Sequence, residues 1–113
     1  MTGGTVTEQA FFVLTALVGE PRHGYGIVRE VTELSEGRLK LRVGTLYGVL
    51  DRLVADGLAE RDREEVASGR LRRYYRITDA GRQRLAAEIA RQAANVRVAE
   101  DRLRTWRPTE GTA

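Results

Sequence analysis

The 113-residue sequence has no cysteine, one histidine (His23), one lysine (Lys40), two prolines and one tryptophan. Without cysteine there is no disulfide scaffold and no thiolate metal site. A single imidazole is too few for a histidine-built metal centre. No apolar run approaches the roughly 20 residues that a membrane-crossing helix needs. Met1 to Val6 carries no basic stretch ahead of an apolar one, as a signal peptide would. These absences lead to the expectation of a cytoplasmic protein with no cofactor and no membrane partner. No Ser, Lys or carboxylate set has a catalytic arrangement, and Glu64 and Glu65 on a strand face opposite ways. An enzyme is therefore not expected.

The length suits one ordinary domain, and 42% apolar residues permit a core. The net charge of +3 comes from nineteen basic residues, all but Lys40 being arginine. Arginine bonds phosphates and guanine edges in a bidentate way that lysine cannot match. A GC-rich genome would produce the same bias, so placement matters more than the total. Gly69 to Arg76 holds four arginines and no acid, whereas Glu60 to Glu65 mixes both signs.

Periodicity divides the chain. Ala10, Leu14 and Leu17, widened by Phe11 and Val18, predict a mostly buried helix over 7–18, with Thr5 or Thr7 as its cap. A second helix opens at His23-Gly24-Tyr25-Gly26 and runs to about Ser35 with Ile27, Val31 and Leu34 as its stripe, and Gly37 ends it. Arg38 to Arg42 alternates basic and apolar residues, which suits a short strand or an extended connection. Leu46, Val49, Leu50 and Leu53 predict a third helix over 43–56, stopped by Gly57, with Thr45, Gly48, Asp51 and Arg52 opposite. The period then changes to two. Strands over 58–66 and 71–77 flank Ala67-Ser68-Gly69-Arg70, a hairpin signal; Tyr75 and Ile77 should face the core, and Arg72, Tyr74 and Arg76 should face out. Thr78-Asp79 caps a final helix to about Trp106. At roughly 40 Å that helix is too long for so small a domain to cover. Ile89, Val96 and Leu103 form one rung of a heptad, and Leu85, Ala99 and Trp106 the other, interrupted by Gln92. Packing against the first helix accounts for part of the seam, and a second chain is expected past Val96.

The expected fold class is mainly α with a small β-hairpin: a winged helix-turn-helix over 1–78, a dimerisation helix over 79–107 and a disordered tail over 108–113. In that architecture the third helix enters the major groove, and the hairpin rests on the neighbouring backbone or minor groove. Small polar side chains near the helix start admit close approach while backbone amides favour phosphate. Arg70, Arg72 and Arg73 would neutralise phosphates or enter a narrow minor groove. Thr45 is the strongest groove-facing candidate, with Arg42, Gly48 and Arg52 beside it. Gly44 reads as a backbone requirement of the turn. Tyr25 would bond a phosphate or wedge between helices. His23 reads as a turn residue, and Arg61 and Arg63, surrounded by acids, as cross-strand partners.

His23-Gly24-Tyr25, Gly44-Thr45-Leu46-Tyr47 with Leu50 and Leu53, Gly57-Leu58, Gly69-Arg70 and Tyr74-Tyr75-Arg76-Ile77-Thr78-Asp79-Ala80-Gly81, in that order, resemble PadR-family transcriptional regulators. The resemblance runs from about Phe11 to Leu85. It implies a homodimeric winged-helix protein of the short type, with one C-terminal helix, usually a repressor on a roughly palindromic double-stranded operator. It implies DNA contact by Tyr47, whose alternative is partial burial with only its hydroxyl exposed. Where the family usually has Tyr-Pro, this chain has Tyr47-Gly48, a change that allows close approach or a bend. Effectors of similar proteins include phenolic acids and lipophilic drugs. Trp106 either packs the seam formed by Ile89, Val96, Ala99 and Leu103 or sandwiches a small aromatic or lipophilic effector. The alternative function is a winged-helix module that binds a protein instead of DNA, for which an acid-rich wing would have spoken.

Overall fold

Leu14, Leu17, Ile27, Val31, Leu46 and Leu50 recur at helical spacing and are fully shielded from solvent. Their packing draws three helices around one core. In the computed structural model, which describes residues 6–108, the order is α1 (Glu8–Leu17), β1 (Arg22–His23), α2 (Gly24–Leu34), α3 (Val43–Ala55), β2 (Ala59–Ala67), β3 (Arg70–Ile77) and α4 (Asp79–Thr105). The mainly α architecture with a winged hairpin and a C-terminal helix is as expected. Thr5 and all of the expected tail except Pro108 lie outside the described residues.

Helix α1 begins at Thr7, whose hydroxyl accepts from the Ala10 N–H. Val18 and Leu34, expected on buried stripes, are instead 48% and 40% exposed. The stripe of α2 continues from Ile27 and Val31 to Ser35, four residues further on. Ser35 is buried, and its Oγ accepts from the Leu39 N–H at 2.9 Å. Glu36 and Gly37 both take positive φ, 55° and 80°, so the chain turns back within two residues. The following stretch to Arg42 is an extended connection, not a strand; Leu41 is buried and anchors it.

The hairpin is part of a three-stranded antiparallel sheet of order β1-β3-β2. Strand β1 was not anticipated, because two residues give no alternation to detect; it pairs Arg22 with Tyr75 and His23 with Tyr74. Ser68 and Gly69, at φ 53° and 76°, make the two-residue turn between β2 and β3, the left-handed pair that matches strand twist. A bulge lies between Arg61 and Glu64 of β2.

Thr78 ties the sheet to α4. Its hydroxyl accepts from the Gly81 N–H at 2.9 Å and donates to the Gly57 carbonyl at 2.7 Å. Gly81 lies so close that a Cβ there would collide with the Leu58 carbonyl oxygen. The Gly57-Leu58 and Thr78-to-Gly81 motifs are therefore two halves of one joint. Up to Glu88, α4 belongs to this head: Gly81, Leu85 and Glu88 are buried. Beyond it the helix runs out into solvent. The radius of gyration is 18.4 Å, against about 13 Å for a compact chain of this length. No helix among the described residues is long and apolar enough to cross a membrane.

Candidate nucleic-acid interface

Among the described residues, three of the four helices begin with a side-chain cap: Thr7 for α1, His23 for α2 and Thr78 for α4. Helix α3 is the exception. Arg42 occupies its cap position without a side-chain hydrogen bond, and its first turn contains no acid. A cation at the positive end of a helix is unfavourable, and a missing polar cap costs about 1 kcal/mol. The amides of the first turn and the Arg42 guanidinium together suit an anion supplied from outside.

The solvent face of α3 is nearly smooth. Gly44, Thr45, Gly48, Asp51 and Arg52 are exposed, and a Cβ added at Gly44 or Gly48 would meet nothing within 4 Å. Gly44 is not the turn requirement expected of it: neither its φ nor that of Gly48 is positive. The missing side chains leave the helix backbone open to close approach.

Tyr47 is 37% exposed, and its hydroxyl lies beside Gly24. A Cβ at Gly24 would lie 2.6 Å from Tyr47 Oη. The Gly of His-Gly-Tyr thus accommodates the Tyr of Gly-Thr-Leu-Tyr. Tyr25 is 69% exposed and so is no wedge between helices. It projects from the first turn of α2.

Charge on the wing is more balanced than β3 alone suggests, because β2 supplies the acids. Arg73 pairs with Glu64 at 3.3 Å, and Arg76 pairs with Glu60 and Asp62. Arg63 pairs along its own strand with Asp62 and Glu65, at 2.9 and 2.8 Å, instead of across it. Arg61 makes no ion pair within 4.0 Å among the described residues, nor do Arg70 and Arg72. Arg70 sits beside the turn, and Val66 and Leu71, paired across the strands, are exposed next to it. Tyr74 does not face freely outward. Its ring meets His23 edge-on at 5.3 Å, and Arg63 lies over it at 4.0 Å. The sequence pointed to neither this stack nor Ser35. The signal for Ser35 was a polar residue standing on an apolar stripe.

On α4 the heptad residues past the head are uncovered. Ile89 is 51%, Val96 54%, Leu103 76% and Trp106 62% exposed, and Ala99 is exposed too. Glu88, where the helix leaves the head, is held by Arg91 and Gln92. Their hydrogen bonds depress its carboxyl to about 2.

Known proteins are similar to this chain in sequence and architecture. Over 66 residues the chain is 44% identical to a transcriptional regulator of Mycobacterium tuberculosis, covering 53% of this chain and 61% of that protein. A PadR family transcription regulator of Clostridium difficile superposes with a TM-score of 0.73 at 23% identity, covering 86% of this chain and 99% of that one. Bacillus subtilis PadR, in a structure with operator DNA, superposes with a TM-score of 0.59 at 20% identity, covering 92% of this chain and 52% of that longer one. The family model of PadR-like transcriptional regulators matches residues 13–87, the span from within α1 through α2, the open face of α3 and the wing into the start of α4. The chain belongs to the PadR-like family of transcriptional regulators.

Proposed function

We propose that this chain is a sequence-specific DNA-binding repressor acting as a homodimer. The observation that carries it is the α3 face, where Gly44, Thr45 and Gly48 leave the backbone open beside an arginine at an uncapped N-terminus. Such a surface fits the floor of a major groove, with the first turn against a phosphate. Thr45, Gly48 and Arg52 face the bases, and Arg42 and Tyr25 take the backbone. Arg70 and Arg72 rest on the neighbouring phosphates or the minor groove, with Arg73 contributing less because Glu64 already holds it. That the Bacillus subtilis protein of the same fold has a structure with operator DNA supports DNA as the partner.

The exposed heptad of Ile89, Val96, Ala99, Leu103 and Trp106 pairs with its equivalent in a second chain. Two α3 helices then meet successive major grooves about one helical turn apart on a roughly palindromic site, and occupancy blocks polymerase. A planar, lipophilic effector held against Trp106 would change the angle between the heads and release DNA. The test is fluorescence anisotropy with the DNA upstream of the protein's own gene, across a salt series, against an unrelated duplex. Tight, salt-sensitive binding to the upstream duplex supports the function. Equal, weak binding to both, together with no selection from a random duplex library, would leave a protein-binding module as the better description.

A further inference from the structure

His23 stands where the helix-turn-helix meets the wing. Its backbone pairs with Tyr74 of β3. Its Nδ1 accepts the Gly26 N–H at 3.3 Å and so caps α2. Its ring meets the Tyr74 ring edge-on. We propose that His23 is a positioning residue, holding the wing at a fixed angle to α2 and α3, and that its neutral imidazole is the DNA-binding form. The inference rests on the DNA-binding function proposed above.

The chemistry of the joint requires an unprotonated Nδ1. A proton there would set one donor against another, the Gly26 N–H, and α2 would lose its cap. The surroundings oppose the cation as well. Burial comes first, then Arg72 on β3 and Arg29 on α2, and all three hold the imidazole below its ordinary range; Glu65 on β2 pulls weakly the other way. Arg63 already occupies the Tyr74 ring, so an imidazolium would be a second cation on one aromatic. Arg22 of β1 is engaged elsewhere, with the Ala16 carbonyl and near Glu20 and Glu30. Protonation therefore loosens α2's first turn, which carries Tyr25, and frees the wing from its stop. Helix and wing must reach adjacent grooves together, so a loosened angle costs affinity. A histidine that touched phosphate directly would behave in the opposite way, binding DNA more tightly when charged.

The lone histidine makes the test unambiguous, because the full-length chain gives one imidazole NMR signal. In the free protein the imidazole should titrate below about 6.5, and the amides of Gly26 and of residues 70–74 should shift with the same midpoint. Wing amides that ignore the titration would overturn the joint, whatever the DNA does. The DNA arm uses a duplex selected from a random library at neutral pH. By linkage, binding it should lower the imidazole midpoint further, and affinity should fall about tenfold from about pH 7.5 to about pH 5. A raised midpoint, or tighter binding in acid, would show direct phosphate contact and sink the proposal. His23→Asn keeps a good capping residue and should bind with no such fall. The same fall in that variant would place the titrating group elsewhere. If no duplex is selected, the DNA-binding function fails, and the free-protein arm still decides the joint.

Discussion

Two surfaces of this chain are exposed for opposite reasons. The outer half of α4 exposes Val96, Leu103 and Trp106 at heptad spacing, a set that gains by being covered with something equally apolar. The outer face of α3 exposes Gly44, Thr45 and Gly48 with arginines at both ends, a set that gains little from apolar cover and much from anions. The difference teaches that exposure alone names no partner. The kind of atom left bare does. The helix termini repeat the contrast: α4 starts on a satisfied threonine cap, whereas α3 starts on an arginine whose side chain makes no cap hydrogen bond.

The largest effect should come from charging the apolar surface. Val96→Glu with Leu103→Glu would bury carboxylates in the seam, and the dimer should weaken by more than about 100-fold in sedimentation equilibrium. A dimer of unchanged strength would mean that pairing does not use this seam, and dimers that also survived truncation before Val96 would place it outside the end of α4. The anion-seeking surface is tested next. Arg70→Ala with Arg72→Ala should weaken binding on every duplex about tenfold and reduce the salt slope by about 2. Arg73→Ala should do distinctly less, since Glu64 already neutralises it; equal losses would show that the ion pair opens on DNA.

A sharper form of the contrast is a single substitution that moves stability and function in opposite directions. Arg42→Ser gives α3 the cap it lacks and should raise unfolding stability by about 1 kcal/mol while weakening DNA binding severalfold. A variant both more stable and tighter-binding would remove the α3 N-terminus from the interface. The smallest effect belongs to Glu88, at the boundary between head and stalk. Its carboxyl is depressed to about 2 from an ordinary 4.5, so the stability it contributes is complete above about 4.5 and is lost as pH falls towards 2. Glu88→Gln should flatten that part of an acid-unfolding curve by lowering stability modestly at neutral pH while leaving it nearly unchanged near pH 2.

Much of this was legible in sequence because it rests on local periodicity. The stripes through Leu14, Ile27 and Leu50 mark the three core helices, and Ser68-Gly69 between two alternating runs marks the wing. The open face of α3 could be read from Thr45, Gly48 and Arg52. What escaped involves contacts between distant residues. Strand β1 exists because β3 offers Tyr74 and Tyr75 an edge to pair; Arg22 and His23 alone carry no strand signal. The ion pairs of Arg73 and Arg76 depend on β2–β3 register, which is altered by a bulge that no periodicity announces.

The amino-acid order by itself determined, to within a residue or two, where helices start and stop, and it determined most of the core, because each follows from neighbours within a few positions. Only the tertiary structure decided which wing arginines stay unpaired, why Gly24 beside the Tyr47 hydroxyl and Gly81 beside the Leu58 carbonyl must lack a side chain, and how His23 comes to join wing and helix. Those properties arise when segments tens of residues apart meet, and their physical cause is the partner each side chain finds there.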